Sequence, residues 1–146
     1  MPTEIHIFKS QSEEETYNFG KKLSKELKPG DTLSLEGDLG TGKTALTKGI
    51  AAGFGIEEPI TSPTFTLVNT YQGDTIFNHF DVYRIDDSEE LLAIGWEEYF
   101  SDDAVNVVEW GDKVLDILPP GTIHIKLERD CKEPDSRVIK IERRVI

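Results

Sequence analysis

Short periodic stretches of apolar residues divide the N-terminal part of the chain into a strand, a helix and a second strand. Isoleucine alternates with histidine and phenylalanine over residues 5–9, and this period of two predicts a short strand. Ser12 and Glu15 have the spacing of a capping box at a helix N-terminus. An apolar residue then recurs at every fourth position, which predicts a helix with one apolar face. The residues on that face are Phe19, Leu23 and Leu27. A Pro-Gly pair at residues 29–30 ends the helix, and alternation over residues 31–36 predicts the second strand.

The rest of the chain has the pattern of an α/β protein. The predicted elements are a helix near residues 43–53, strands at 65–71 and 75–82 joined by a Gly-Asp turn, short helical pieces at 91–92 and 96–100, a buried strand at 104–108, and alternating strands at 122–127 and 138–145. Strands that alternate with helices favour parallel pairing, whereas strands joined by a short turn favour antiparallel pairing. We therefore expect a mixed sheet with a parallel core and antiparallel additions, flanked by helices.

Composition and charge narrow the possible function classes. The 146 residues suit one domain, spanning residues 1–146. Sixteen Lys and Arg against 28 Asp and Glu give a net charge of −12, which argues against unaided binding to a nucleic-acid backbone. Cys131 is the only cysteine, so neither an intrachain disulfide nor a cysteine-rich metal site is expected. The N-terminus lacks the order of a signal peptide and no apolar run approaches the roughly 18 residues of a membrane span, so we expect a soluble, cytoplasmic protein.

Residues 37–44, with the sequence GDLGTGKT, match the phosphate-loop pattern G-x-x-x-x-G-K-[ST]. The pattern follows a predicted strand and opens a predicted helix, which is the context that phosphate binding requires. Its glycines let backbone N–H groups point inward, and the helix adds the positive end of its dipole. Lys43 supplies a cation for the β- and γ-phosphates of a nucleotide, and the Thr44 hydroxyl can ligate Mg²⁺. The alternative is a glycine-rich turn that binds nothing, but the context favours a phosphate site in a P-loop NTPase-like fold.

Two acidic residues, Asp81 and Glu109, each follow an apolar run that predicts a strand. The carboxyl edge of a parallel sheet is the usual ligand edge, so both carboxylates are expected near the phosphate loop. A nucleotide hydrolase needs a carboxylate that reaches the metal and a group that orients the attacking water. Either acid taken alone is more simply a solvated strand end, but the phosphate loop favours the functional reading.

Neighbouring residues leave several alternatives open. The hydroxyl-rich segment at residues 62–71 is either a switch that senses the γ-phosphate or an edge strand whose threonines reflect β propensity. His79 and Tyr83 share one face of the strand that ends near the first acid, by the period of two. Arg84 either reaches a phosphate or forms a structural salt bridge. Trp110 stacks on a nucleotide base, contacts a partner or lies at the rim of the core.

Four motifs occur in the order in which one protein family carries them. Residues 37–44, 62–67 (SPTFTL), 79–84 (HFDVYR) and 108–110 (VEW) resemble the TsaE family, the small ATPase of the bacterial machinery that makes threonylcarbamoyladenosine in tRNA. The resemblance implies a protein that binds ATP and Mg²⁺, hydrolyses ATP weakly when alone, and works with the TsaB and TsaD proteins. TsaD transfers the threonylcarbamoyl group to an adenosine beside the anticodon, so the resemblance implies that tRNA is reached only through the complex.

The resemblance also implies roles for individual residues. Thr44 and Glu109 are the expected metal ligands, and Asp81 is the expected second acid required for hydrolysis. Asp81, Glu109 and Lys43 together are the expected catalytic residues. With the phosphate loop included, the expected nucleotide-binding residues are Leu39, Gly40, Thr41, Gly42, Lys43, Thr44 and Trp110. The segment at residues 62–71 is the expected switch.

Two other functions use the same kind of loop. A small-molecule kinase usually carries a lid rich in arginine, but the arginines here are scattered and no lid is predicted between helices, which ranks this reading below the ATPase. The arginines are Arg84, Arg129, Arg137, Arg143 and Arg144. A nucleotide-gated interaction module with negligible turnover needs nearly the same residues as a weak ATPase, so the sequence does not separate these two.

Overall fold

The computed structural model describes residues 3–38, 40–61, 63, 67–133 and 135–144. Within these residues, strands and helices follow one another in the order that the apolar pattern predicts. The strands are β1 (Thr3–Ser10), β2 (Thr32–Glu36), β3 (Val68–Gln72), β4 (Ile76–Asp81), β5 (Ala104–Glu109), β6 (Ile123–Arg129) and β7 (Arg137–Arg144). The helices are α1 (Glu13–Ser24), α2 (Lys43–Gly53) and α3 (Glu89–Ala93), with 3-10 turns at Trp96–Tyr99 and Gly111–Val114.

The strands of the described residues form one seven-stranded sheet in the order β1-β7-β6-β2-β5-β4-β3. β2 is parallel to both of its neighbours, β6 and β5, and β4 is parallel to β5. β3 joins β4 antiparallel at one side, and β7 and β1 join antiparallel at the other. The predicted mixed sheet with a parallel core and antiparallel additions is therefore confirmed. Because β2, β4 and β5 run in the same direction, their carboxyl ends lie at one edge of the sheet.

Two apolar clusters are built from the two faces of this sheet. Strand residues alternate between faces, so Phe77 and Phe80 of β4, which are both fully buried, belong to different clusters. The first cluster joins the sheet to α1 and α2, and the second joins it to α3 and the 3-10 turns. Helices therefore flank the sheet as predicted. Among the described residues, no helix has the length and apolar composition that crossing a membrane requires.

The N-terminal elements differ from the apolar pattern in two places. α1 ends before Leu27, which lies in the following turn yet stays buried. In β1, Ile5 and Ile7 are 52% and 68% exposed, whereas Phe8 stacks on Phe19 of α1 with ring centroids 4.4 Å apart. β1 lies at the edge of the sheet, and the face that carries the isoleucines is exposed. The alternation therefore identified the strand correctly but does not indicate which face is buried.

Other local predictions are confirmed with small shifts of boundary. The Glu15 N–H donates to Ser12 Oγ over 3.1 Å and the Glu15 carboxylate accepts from the Gln11 N–H, so the predicted cap is present. β3 and β4 form the predicted hairpin, but β3 begins only at residue 68, and residues 65 and 66 lie outside the described part of the chain. β6 and β7 form the predicted closing pair, of which residue 145 is not described.

Helices α1 and α2 meet backbone to backbone because two glycines face each other. A Cβ on Gly20 would lie 2.6 Å from the carbonyl oxygen of Leu46, and a Cβ on Gly49 would lie 2.0 Å from that of Tyr17. Both distances are far shorter than a normal contact, so no side chain fits at either position without moving a helix. This crossing fixes α2, which begins at the phosphate loop, against α1.

The close crossing generates a prediction for stability. Gly49→Ala improves intrinsic helix propensity by about 1 kcal/mol, yet we expect it to lower the free energy of unfolding by about 1–3 kcal/mol because the added methyl group forces the helices apart. Urea denaturation measures the difference. Lys48→Ala, at the exposed neighbouring position of the same helix, is the matched control and should change stability by less than about 0.5 kcal/mol. An unchanged or more stable Gly49→Ala protein would contradict the proposed role of the crossing.

Candidate functional site

Gly37 and Gly42, which lie between β2 and α2, both have backbone conformations that favour glycine. Gly37 has φ 145°, and a Cβ there would lie 2.4 Å from the carbonyl oxygen of Leu127 in β6. Gly42 has φ 104° and precedes the first residue of α2. No side chain of the described structure caps this helix. The N–H groups of its first turn are therefore directed at the space above the loop, which is the arrangement that binds anions.

The Lys43 side chain bends back over its own loop. Its Nζ donates to the carbonyl oxygens of Gly37 (2.5 Å) and Asp38 (2.8 Å) and lies 4.0 Å from the centroid of the Trp110 ring. The residue is 5% exposed, and burial lowers the pKa of the ammonium below the usual range of a lysine. Nearby carboxylates, first of all Glu109, oppose that shift. An ammonium held by neutral carbonyl oxygens in a buried position is suited to exchange them for a charged partner.

The two predicted acids lie side by side because β4 and β5 are parallel and in register. Asp81 pairs with Glu109 at the carboxyl end of the two strands. The Glu109 carboxylate is buried, and its Oε1 lies 3.4 Å from the Thr44 hydroxyl at the start of α2. Its other oxygen, Oε2, bonds to Nε2 of the buried His79. One carboxylate thus connects β5 with both β4 and α2.

Asp81 is only half-buried, and its carboxylate accepts the backbone N–H of Tyr83 over 3.0 Å. Burial is the main cause that raises the pKa of Asp81 above the usual aspartate range, and the charge of Glu109 adds to it. The Tyr83 N–H opposes the shift because it stabilises the ionised form. A raised pKa makes this carboxylate a stronger proton acceptor than an ordinary aspartate.

The donors at the end of β5 suit Mg²⁺ that is shared with a phosphate group. The Thr44 hydroxyl and the Glu109 carboxylate are hard oxygen ligands 3.4 Å apart. No group of three or more His, Cys, Asp or Glu side chains in the described part of the chain is placed to hold a metal. Mg²⁺ is commonly held by one or two protein oxygens together with substrate phosphates and water. The residues present therefore fit that ion.

A cavity of about 450 Å³ brings most of the predicted residues together. The predicted residues that line it are Gly40, Thr41, Gly42, Lys43, Thr44, Asp81, Glu109 and Trp110. Leu39 lies outside the described residues, as do residues 62, 64, 65 and 66 of the expected switch. Tyr83 follows the end of β4, so it does not continue the strand face predicted for it, and its ring packs 4.7 Å from that of Trp110. Arg84 is exposed and lies outside the lining of this cavity.

Four further polar residues that line the cavity were not predicted from the sequence. They are Glu13, Thr16, Asp135 and Arg137. Arg137 Nη2 donates to the Gly40 carbonyl oxygen over 3.1 Å, and a Cβ on Gly40 would lie 2.5 Å from Nη2 of Arg129. Arg129 and Arg137 are directly paired across the β6–β7 hairpin. The arginines are therefore not all scattered, since two of them meet at the loop, and only the hairpin register could have indicated this.

Comparison with known proteins identifies the family to which this fold and site belong. The family described as "Threonylcarbamoyl adenosine biosynthesis protein TsaE" matches residues 10–139. A Bacillus subtilis protein named tRNA threonylcarbamoyladenosine biosynthesis protein TsaE is 44% identical over 117 residues, which are 80% of this chain and 73% of that protein. The chain belongs to the TsaE family. The family resemblance inferred from the four motifs is thereby confirmed.

Two further comparisons agree with this TsaE assignment. A Treponema pallidum protein that also bears the TsaE name is 42% identical over 118 residues, covering 81% of this chain and 87% of that protein. The crystal structure of Bacillus subtilis YdiB superposes with a TM-score of 0.80 and 35% identity, covering 98% of this chain and 88% of that one. The TsaE-family fold thus includes strands β1 and β7, which lie outside the four motifs.

The burial of Asp81 in this TsaE-family site generates a pH-dependent prediction. A raised pKa in the folded state means that the ionised carboxylate lowers stability, fully above the folded pKa and not at all below the unfolded value of about 3.9. We expect Asp81→Asn to raise the Tm of the ligand-free protein at pH 7, by roughly 2 °C. The gain should shrink as the pH falls towards 4.

Thermal denaturation of Asp86→Asn controls for the general relief of negative charge, because Asp86 is exposed and carries the same charge change. If Asp81→Asn were no more stable than this control at pH 7, burial would not be what destabilises the Asp81 carboxylate.

Proposed function

We propose that this TsaE-family protein binds ATP with Mg²⁺, hydrolyses it weakly on its own, and acts in the cytoplasm with TsaB and TsaD to form threonylcarbamoyladenosine beside the anticodon of tRNA. One observation carries the proposal: Lys43, Thr44 and Glu109 converge on a single cavity above the open N-terminus of α2. A phosphate loop, a cation and a carboxylate in reach of a hydroxyl are the parts that nucleotide hydrolysis requires.

The chemistry follows from what each side chain can do. Lys43 exchanges its two loop carbonyl partners for β- and γ-phosphate oxygens, which are charged and form stronger hydrogen bonds. Thr44 and Glu109 would hold Mg²⁺, and the bound ion would neutralise charge that develops on the phosphates. Asp81 accepts a proton from the attacking water or orients it, and its raised pKa suits that task. The proposed proton acceptor, Asp81, and the proposed metal ligand, Glu109, thus lie on neighbouring strands.

The charge of the chain supports an indirect contact with tRNA. A net charge of −12 opposes binding to a phosphate backbone, so the proposed partners TsaB and TsaD supply the surface that holds the tRNA. The proposed role of this subunit is to couple its nucleotide state to their activity.

Nucleotide titration tests the first part of the proposal. We expect Lys43→Ala to weaken ATP binding at least about tenfold, because a charged hydrogen-bond donor to the phosphates is lost. Isothermal titration calorimetry measures this, and Lys48→Ala, an exposed lysine on the same helix, is the matched control. Equal affinity in both variants would remove the phosphate-binding role from Lys43. Phosphate transferred from ATP to a metabolite and not to water would favour the small-molecule kinase instead.

Association with purified TsaB and TsaD tests the second part. We expect co-elution that differs between ATP-loaded and nucleotide-free protein. At the same ATP concentration the difference should be smaller for Lys43→Ala, because that variant binds ATP more weakly. Titration of the isolated chain with tRNA at physiological salt should show little binding. Tight tRNA binding by the isolated chain, or failure to bind the two proteins in either nucleotide state, would overturn the proposed partnership.

A further inference from the structure

His79 is a buried polar residue beside the candidate site, and the proposed chemistry gives it no role. Its side chain is fully buried on β4, and its Nε2 bonds to Oε2 of Glu109. Its other ring nitrogen, Nδ1, is buried without a hydrogen-bond partner among the described residues. Leaving a polar atom unpaired in the interior is unfavourable, so the presence of an imidazole here requires a physical reason.

Packing alone does not supply that reason. Phe77, two residues earlier on the same face of β4, is also fully buried and fills its space with an apolar ring. An apolar side chain at position 79 would likewise fill the space without burying an unpaired nitrogen. The one interaction that an apolar residue could not replace is the bond to the Glu109 carboxylate.

The geometry divides the two oxygens of that carboxylate between two elements. Oε2 faces His79 from β4, while Oε1 faces the Thr44 hydroxyl at the start of α2. His79 pairs with Val107, which lies two residues before Glu109 on the same face of β5. The imidazole therefore approaches the Glu109 carboxylate from the side of the preceding strand residues. An ionised carboxylate only accepts hydrogen bonds, so Nε2 must be the donor in this pair.

We propose that His79 is a positioning residue: its Nε2–H holds one oxygen of Glu109 so that the other oxygen is presented, with the Thr44 hydroxyl, to Mg²⁺. The inference rests on the proposed function, because it assumes that Glu109 is a metal ligand. Hydrogen bonds from outer groups that orient metal ligands commonly contribute 10–100-fold to metal affinity. His79 therefore acts on the metal site through Glu109 and without touching nucleotide.

The first experiment measures the Mg²⁺-dependent part of ATP affinity, as the ratio of the dissociation constants in EDTA and in excess Mg²⁺. We expect His79→Leu to reduce this ratio about 10–100-fold while leaving affinity in EDTA unchanged. His79→Gln, which places an amide N–H near the position of Nε2, should restore most of the ratio. Phe77→Leu is the matched control for lost packing on β4. Glu109→Gln measures the effect of removing the metal ligand itself.

The outcomes separate the inference from the function on which it rests. If wild-type protein shows no increase in affinity with Mg²⁺, the proposed metal role of Glu109 fails and the role of His79 fails with it. If wild-type protein shows the increase and His79→Leu keeps it, only the positioning role is wrong. A loss in Phe77→Leu equal to that in His79→Leu would also overturn it, since packing would then explain both.

The second experiment measures wild-type protein and needs a variant only to assign the signal. ¹⁵N chemical shifts of the imidazole nitrogens in wild-type protein report which nitrogen carries the proton, and a signal absent from His79→Gln identifies residue 79 among the three histidines. We expect Nε2 to carry a proton. The opposite tautomer would leave Nε2 unable to donate to Glu109 and would overturn the proposal.

Discussion

The parallel pairing of β4, β5 and β2 is the constraint on which the rest of the site depends. The ladder sets Asp81 opposite Glu109 and Glu109 opposite Leu35, whose strand leads directly into the phosphate loop. Slipping a strand by one residue would turn every side chain of that strand to the opposite face. A slip of β4 would turn Asp81 away from the cavity and His79 away from Glu109, and a slip of β5 would turn Glu109 away from both. The hydrogen bonds of the sheet thus determine the positions of the two acids, whereas Lys43 and Thr44 are placed by the start of α2.

The same arrangement is unfavourable electrostatically as long as the cavity holds no ligand. Burial lowers the pKa of Lys43 and raises that of Asp81, so each residue is charged at a place that disfavours its charge. An anionic group near Lys43 and a cation near the acids would relieve both effects. The residues that could bind a ligand therefore lower the stability of the ligand-free protein, and ligand binding would restore it. This trade-off is common at functional sites.

The site residues that could be predicted from the sequence are placed by interactions between neighbouring parts of the chain. The residues that were missed are placed by contacts between distant parts of the chain. The loop, Lys43 and Thr44 follow from local physics, since a strand, a glycine turn and a helix start are adjacent in the chain. Glu109 could be predicted because a strand ending in an acid is a local signal as well. Arg137 reaches the loop only through the hairpin register that pairs it with Arg129, and no local pattern encodes that contact.

The alternation of apolar and polar residues along a strand likewise does not show which face of the strand is buried or which residues its side chains contact. It identified β1 but could not show that its isoleucines face outward, because that depends on which strand and which helix pack beside it. It placed His79 on one face of β4 without indicating a partner. The contact with Glu109 exists because β5 lies in register beside β4, and these strands are separated in the chain by α3 and a 3-10 turn.

Trp110 shows how a strained backbone completes the site. Its φ of 67° is unusual for a bulky residue, and its N–H donates to the Leu35 carbonyl oxygen over 2.8 Å, which ties the turn to β2. The ring is thereby held over Lys43 and also packs against the second apolar cluster, so the core-rim alternative is confirmed, whereas the contact with Lys43 was not predicted. A cation over an aromatic face is stabilised by about 0.5–2 kcal/mol, in addition to the two carbonyl bonds of the ammonium. A ligand must offer more than these contacts to draw Lys43 away. An anionic group is best suited to do so, because its hydrogen bonds to the ammonium carry charge on both partners.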